Sequence, residues 1–266
     1  MLYNRNTASF NKSTFNLRKA RAGYALLAAL LVSTGTYAAD FGNLLGAVGD
    51  VAKAASVSDK DIADSSRQMM AFEDKKKSLA PASSQYAKRL AALTSTHTRE
   101  DGLNLNFKVY MSPTVNAFAT PDGSVRVYSG LMDLMTDDEL RGIIGHEIGH
   151  AKLGHSASAM KTALMASAAR KAAASTDGVA GRLADSELGN LAEAVLNAQF
   201  SQSQETASDD YGFAFLQKHK YNVRGMETGF RKLAKLDGGG NHSAMSSHPD
   251  SAGRAERMKQ KADAKS

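Results

Sequence analysis

Apolar and polar positions change their spacing several times along the chain, and each change predicts a different element. From 59 to 77 and again from 82 to 93 the apolar residues recur at helical intervals. Pro81 separates the two runs because a prolyl ring cannot continue a helix interior. From 103 to 110 the period falls to two (Leu103, Leu105, Phe107, Val109), as in a half-buried strand. Residues 115–120 and 124–128 flank Pro121-Asp122-Gly123, a turn composition that predicts a hairpin. Behind these strands, Thr136-Asp137-Asp138-Glu139 reads as a capping box: the Thr136 hydroxyl can accept an orphan N–H while Glu139 reaches back. The helix it opens runs to about Leu153, where Gly154 can end it. Residues 156–184 are rich in Ala, Ser and Gly and carry no evident chemistry. One long helix is predicted over 187–218 and another over 224–236. Gly238-Gly239-Gly240 then starts a flexible stretch, and 251–261 is again helical. No internal repeat is present. The pattern is that of an α+β fold, predominantly helical, with a small sheet.

The first 39 residues stand apart. A basic stretch through Arg21, an apolar run over 24–32 and small residues around Tyr37-Ala38-Ala39 before Asp40 make a secretory signal. The run is shorter than the roughly 20 residues that span a bilayer, so the expected product is an exported chain with no membrane span after cleavage. An uncleaved anchor is the alternative. The formal charge is +6, but Arg5, Lys12, Arg18, Lys19 and Arg21 precede Asp40 with no acidic residue among them. Without them the count is 28 basic against 27 acidic residues, a net of +1, which removes the electrostatic case for nucleic acid. The absence of cysteine excludes disulfides and a lipidated cysteine, so the expected product is not a lipoprotein. Residues 41–57 read as a loosely packed arm, and the charge run Glu73-Asp74-Lys75-Lys76-Lys77 as a solvated helix end.

The chemistry concentrates in His146-Glu147-Ile148-Gly149-His150. On a helix, residues four apart share a face, so both imidazoles can reach one ion while Glu147 approaches a water beside it. A catalytic zinc usually takes three protein ligands, so one is missing. The metzincin spacing would put Gly at 153 and His at 156, where this chain has Leu153 and Ser156. His155, one place off, reads as a neighbour of the site. A distant carboxylate is the better candidate: Glu205 and Asp209 lie one turn apart, suited to ligation and to orienting a histidine. A solvated acidic helix face, with Asp210 on it, is the other reading of that segment.

His146-Glu147-x-x-His150 followed by Glu205-x-x-x-Asp209 and Gly212 resembles the HtpX-like gluzincin metallopeptidases, the group that also contains the CAAX prenyl proteases. The stretches from Asn116 to Ala119 and from Tyr128 to Leu131, and Ser247-His248-Pro249 with Arg254, resemble that family's other blocks. Soluble periplasmic members are similar over nearly the whole chain beyond the leader, including 84–90 and 232–236. The resemblance implies a gluzincin domain with its small sheet packed beside the His-motif helix. It also implies one Zn2+ per chain held by His146, His150 and Glu205, with Glu147 as general base and Asp209 behind the ligands. The chain then divides into a leader (1–39), an arm and helix (40–80) and a peptidase domain (81–266).

The implied substrates are unfolded, misfolded or unassembled polypeptides of the cell envelope, alongside envelope quality-control partners. The implied location is periplasmic or otherwise exported, with peripheral membrane association left open. His248 is a candidate oxyanion donor or a blocking ligand; Arg254, Tyr128 and Tyr211 are further donor candidates. The 115–128 hairpin is the candidate edge for binding an extended substrate. The rival is a chaperone-like binding protein with a closed zinc site.

Overall fold

Ser58 opens helix α1 (Asp59–Lys76): its hydroxyl accepts the Asp61 N–H while the Asp61 carboxylate returns to the Ser58 N–H. The computed structural model describes residues 57–173, 185–237 and 248–264, all within one unit spanning Phe41–Ser266. The predicted leader, the arm up to residue 56, residues 174–184 and the flexible stretch 238–247 lie outside the described residues. Ser84 caps α2 (Gln85–Thr94). The strands β1 (Arg99–Glu100) and β2 (Leu103–Asn104) form a small hairpin whose turn residues Asp101 and Gly102 have positive φ of 46° and 86°.

A three-stranded sheet follows, built from β3 (Asn106–Tyr110), β4 (Ala117–Ala119) and β5 (Ser124–Tyr128) in the order β3-β5-β4. The strand expected over 103–110 is interrupted at Leu105, whose N–H turns to the Thr98 carbonyl at 2.8 Å. Its alternation survives the break, with Leu105 and Val109 buried and Asn104, Asn106 and Lys108 exposed. The expected hairpin forms, Ala117 opposite Val127 and Ala119 opposite Val125. β5, buried along its whole length, pairs in parallel with β3 on its other side, which leaves β4 at the edge.

The remaining helices are α3 (Ser129–Leu134), α4 (Asp137–Lys152), α5 (His155–Ala173), α6 (Asp185–Leu196), α7 (Gln202–Lys218), α8 (Arg224–Asp237) and α9 (Ser251–Asp263). The capping box of α4 forms as expected, with Glu139 accepting the Thr136 N–H at 2.7 Å, and Gly154 follows its end with φ 77°. Helix α4 is buried from Gly142 to His150 and packs against β4, α7 and α8. It meets α7 backbone to backbone. A Cβ on Gly145 would lie 3.2 Å from the Gly212 Cα, and one on Gly212 would lie 2.9 Å from the His146 nitrogen.

Two expectations are corrected. The helix predicted over 187–218 is two, because Ser201 starts α7 with its own capping box to Gln204, a stop-and-restart signal embedded in an otherwise continuous pattern. The charge run at 73–77 is only partly solvated: Glu73 is buried, and Asp74 binds the buried Arg126 through two bonds of 2.9 Å. Burial explains the latter, since an arginine on a fully buried strand needs a carboxylate partner. One apolar cluster surrounds α4, β5, α7, α8 and α9; a second joins α1, α5 and α6 to Tyr110, Phe118 and Tyr128. Met132, Met135 and Met160 are in the core, whereas Met165 is exposed. Among the described residues no helix is long and apolar enough to cross a membrane.

Candidate metal centre

Helical spacing on α4 puts the His146 and His150 rings on one face, and the close approach of α7 brings Glu205 against them. The two Nε2 atoms are 3.0 Å apart, Glu205 Oε1 is 3.3 Å from that of His150, and Oε2 is 3.6 Å from that of His146. Donor atoms around a tetrahedral zinc with bonds near 2.0–2.1 Å stand roughly 3.4 Å apart, so these spacings suit such an ion. His248 joins the same group, its Nδ1 2.8 Å from Glu205 Oε1 and 3.3 Å from His146 Nε2. All four side chains are buried.

The electrostatics are those of a cation site. Burial, reinforced by the Arg254 charge, holds the His146 imidazole well below its usual range, and burial brings His150 down to about 4. Both rings are therefore neutral near pH 7, with lone pairs to offer. Burial works against ionising Glu205, yet hydrogen bonds from His150 and His248 outweigh it and hold that carboxyl well below its ordinary value. Its Oε2 has no aligned hydrogen-bond donor, although Arg254 Nη1 lies 2.8 Å away as an ionic contact. Glu147, whose Oε1 is also without a donor, is pushed up to about 7 by burial, with Glu205 adding to the rise and His248 opposing it. Glu205 is thus the carboxylate held ionised, and it faces two neutral imidazoles, a donor set that a divalent cation fits.

Behind this layer, Asp209 Oδ1 lies 2.9 Å from His146 Nδ1, and the Asp209 carboxylate takes a fork of bonds from Arg254, Nε to Oδ2 at 3.0 Å and Nη2 to Oδ1 at 2.7 Å. The Arg254 guanidinium also stacks 4.1 Å from the Phe230 ring centre. His155 stands behind His150, Nδ1 to Nδ1 at 3.1 Å, with Ser208 Oγ 3.2 Å away. The other donor candidates lie elsewhere: the Tyr211 hydroxyl donates to Asp101 at 2.7 Å, and Tyr128 packs edge-on against Tyr110.

A cleft opens over the centre between Ala117, Phe118 and Ala119 of β4 and Glu147, Phe200 and His248. In the β4–β5 register the Asn116 carbonyl and the Thr120 N–H bond inward to Tyr128 and Ser124, so Ala117 and Ala119 direct their polar groups outward. Ser156 Oγ already donates to the Ala119 carbonyl at 2.8 Å. Phe200, which stacks on His150 at 4.0 Å between ring centres, was not legible in the sequence because the pattern there read as helix interior. The Ser201-x-x-Gln204 box beside it was the signal that could have found the loop.

Comparison with known proteins agrees with this geometry. The profile of peptidase family M48 matches residues 82–262. Metalloprotease LoiP of Escherichia coli is 43% identical over 242 residues, covering 91% of this chain and 96% of LoiP. Metalloprotease YcaL of the same organism is 43% identical over 208 residues, 78% of this chain and 82% of YcaL. The mitochondrial metalloendopeptidase OMA1 of Arabidopsis thaliana is 30% identical over 162 residues, 60% of this chain and 32% of OMA1. Matched by that profile over most of its length and similar to metalloproteases along nearly all of it, the chain belongs to peptidase family M48 and is a metallopeptidase of the LoiP type.

Proposed function

We propose that this protein is an exported zinc endopeptidase that cleaves unfolded, misfolded or unassembled cell-envelope proteins. The observation that carries the reading is the convergence of His146, His150 and Glu205 beside a buried carboxylate, Glu147, in a cleft walled by the edge strand β4. Two imidazoles and a carboxylate form a donor set that zinc favours. Bound there, zinc supplies Lewis-acid polarisation of the scissile carbonyl and a water acidified toward neutrality.

The chain's own groups do the rest. Glu147, poised near neutrality by burial, takes the proton from the attacking water and passes it to the leaving amine. Asp209 fixes the His146 tautomer, and Arg254 fixes Asp209. The outward polar groups of Ala117 can pair with an extended substrate backbone, a mode that reads no particular sequence and favours unfolded segments. The signal-like leader supports export, and the absence of cysteine supports a product that is not a lipoprotein.

Degradation of casein by the purified protein, compared with Glu147→Gln at equal zinc content, tests the proposal. Cleavage by the parent alone is expected; equal cleavage by both would remove Glu147 from its role. A second reading is favoured by His248 standing within the ligand group: it fills the fourth position, and the protein holds unfolded chains without cutting them. That reading predicts a zinc-loaded parent that is silent and gains cleavage in His248→Ala, where the fourth position is opened to water.

A further inference from the structure

We propose that His97, Glu100 and His219 form a second transition-metal site, of the zinc class, which clips the β1–β2 hairpin to the C-terminal end of α7. Glu100 Oε2 lies 3.3 Å from His97 Nδ1 and 3.0 Å from His219 Nε2, and the three donor atoms all fall within 4.8 Å of one another. Those spacings suit a tetrahedral zinc, whose neighbouring donors stand roughly 3.4 Å apart. Two imidazole nitrogens and one carboxylate oxygen select zinc and its transition-metal neighbours over calcium or magnesium, which take oxygen ligands.

Three further observations point to an ion. Nε2 of His219 is buried without an aligned hydrogen-bond partner, even though the Glu100 oxygen is near it. The other ring nitrogen of His97 is 2.9 Å from the Tyr221 hydroxyl, the outer contact that orients a metal-binding imidazole. His219 is also the C-cap of α7, where the unpaired carbonyls of a helix end favour a positive charge. Burial keeps His97 below its usual range, so that ring is neutral and able to ligate.

The charges around the group leave room for the ion. Lys218 Nζ pairs with the other Glu100 oxygen and with Asp101, so one cation faces two carboxylates. The Arg141 guanidinium sits over the Tyr221 ring at 4.6 Å, on that residue's face.

This site is distinct from the one on α4, since Glu205 and His219 are separated by about 14 residues of helix, roughly 21 Å of rise. It bears on the same helix pair, however. His97 packs edge-on against Phe215 at 4.8 Å, and Phe215 is the side chain that a Cβ on Gly145 of α4 would meet at 2.9 Å. Metal bound at His97, Glu100 and His219 therefore holds α7 in place from its far end.

The test is a zinc count on untagged, full-length protein stripped with chelator and titrated with Zn2+ against a chromogenic competitor. The parent is compared with His219→Ala and with Glu100→Gln, which keeps the side chain's size and guards against a folding defect in the first variant. Each folded variant is expected to bind one zinc fewer than the parent, and the difference of one is the readout whether or not the α4 site fills. Chelator is also expected to lower the Tm of the parent more than that of either variant. An unchanged zinc count in Glu100→Gln, with a native circular dichroism spectrum, overturns the proposal and leaves a hydrogen-bonded histidine cluster.

Discussion

Asp209 Oδ1 lies 2.9 Å from His146 Nδ1, with both side chains almost wholly buried. A carboxylate in that place makes Nδ1 the protonated nitrogen and leaves the Nε2 lone pair for a metal. Asp209→Asn keeps the shape and removes the charge. It is expected to weaken zinc binding or peptidase activity by about 10- to 100-fold, measured by competition with a chelator and by peptide hydrolysis. Unchanged affinity would mean that His146 is oriented by packing alone.

Gly212 sets how closely α7 approaches α4. An added Cβ would stand 2.9 Å from the His146 backbone nitrogen and 3.0 Å from Met226 Cε. The methionine can move, but the backbone cannot without carrying His146 with it. Gly212→Ala is therefore expected to cost about 1–3 kcal/mol of stability, as overpacked cores do, and to loosen zinc. Urea denaturation and zinc titration on one preparation check both effects.

Asp74 binds the buried Arg126 by a two-bond fork and also accepts from Lys108 and Tyr110. Burial raises the carboxyl's pKa, but the Arg126 and Lys108 hydrogen bonds overcome this and hold it below its usual value. A carboxyl depressed in the folded state contributes stability that is present above its unfolded pKa, near 3.9, and is lost as pH falls through the folded value. Asp74→Asn leaves Arg126 buried without its counter-charge and is expected to cost about 3 kcal/mol or more at pH 7. The gap between parent and variant should shrink below pH 4. Parallel urea titrations at pH 7 and pH 3.5 would show it; a gap independent of pH would mean that the pair contributes through shape rather than charge.

On the outer edge of β4, Ala117→Pro removes an N–H that faces away from β5 without touching any candidate ligand. At unchanged zinc content, hydrolysis of an extended peptide is expected to fall by an order of magnitude or more, about the effect of losing one or two backbone hydrogen bonds to substrate. Full activity would move substrate binding to another surface.

The elements legible in the sequence were those with local chemistry. The Thr136–Glu139 box located the start of α4, Gly154 its end, and Pro121-Asp122-Gly123 the β4–β5 turn. Strands β1 and β2 are two residues long, too short for any period, and the helical period over 187–218 hid the loop that carries Phe200. The pairing of β3 with β5 rather than β4 was invisible because a parallel register leaves no turn to read. Asp74 and Arg126, 52 positions apart, met only in three dimensions, and so did His97 and His219.

Arg254 comes 45 positions after Asp209 and is the guanidinium partner of both Asp209 and Glu205. A ribosome adding about 5–20 residues per second needs roughly 2 to 9 s to cross that interval. During it His146, Glu147, His150 and Glu205 have all been made, while the clamp that organises them has not. The order of the residues along the chain therefore leaves the centre unfinished until α9 has been made and has docked, so a chain cut short before Arg254 would carry every candidate ligand on α4 and α7 without the guanidinium that braces them.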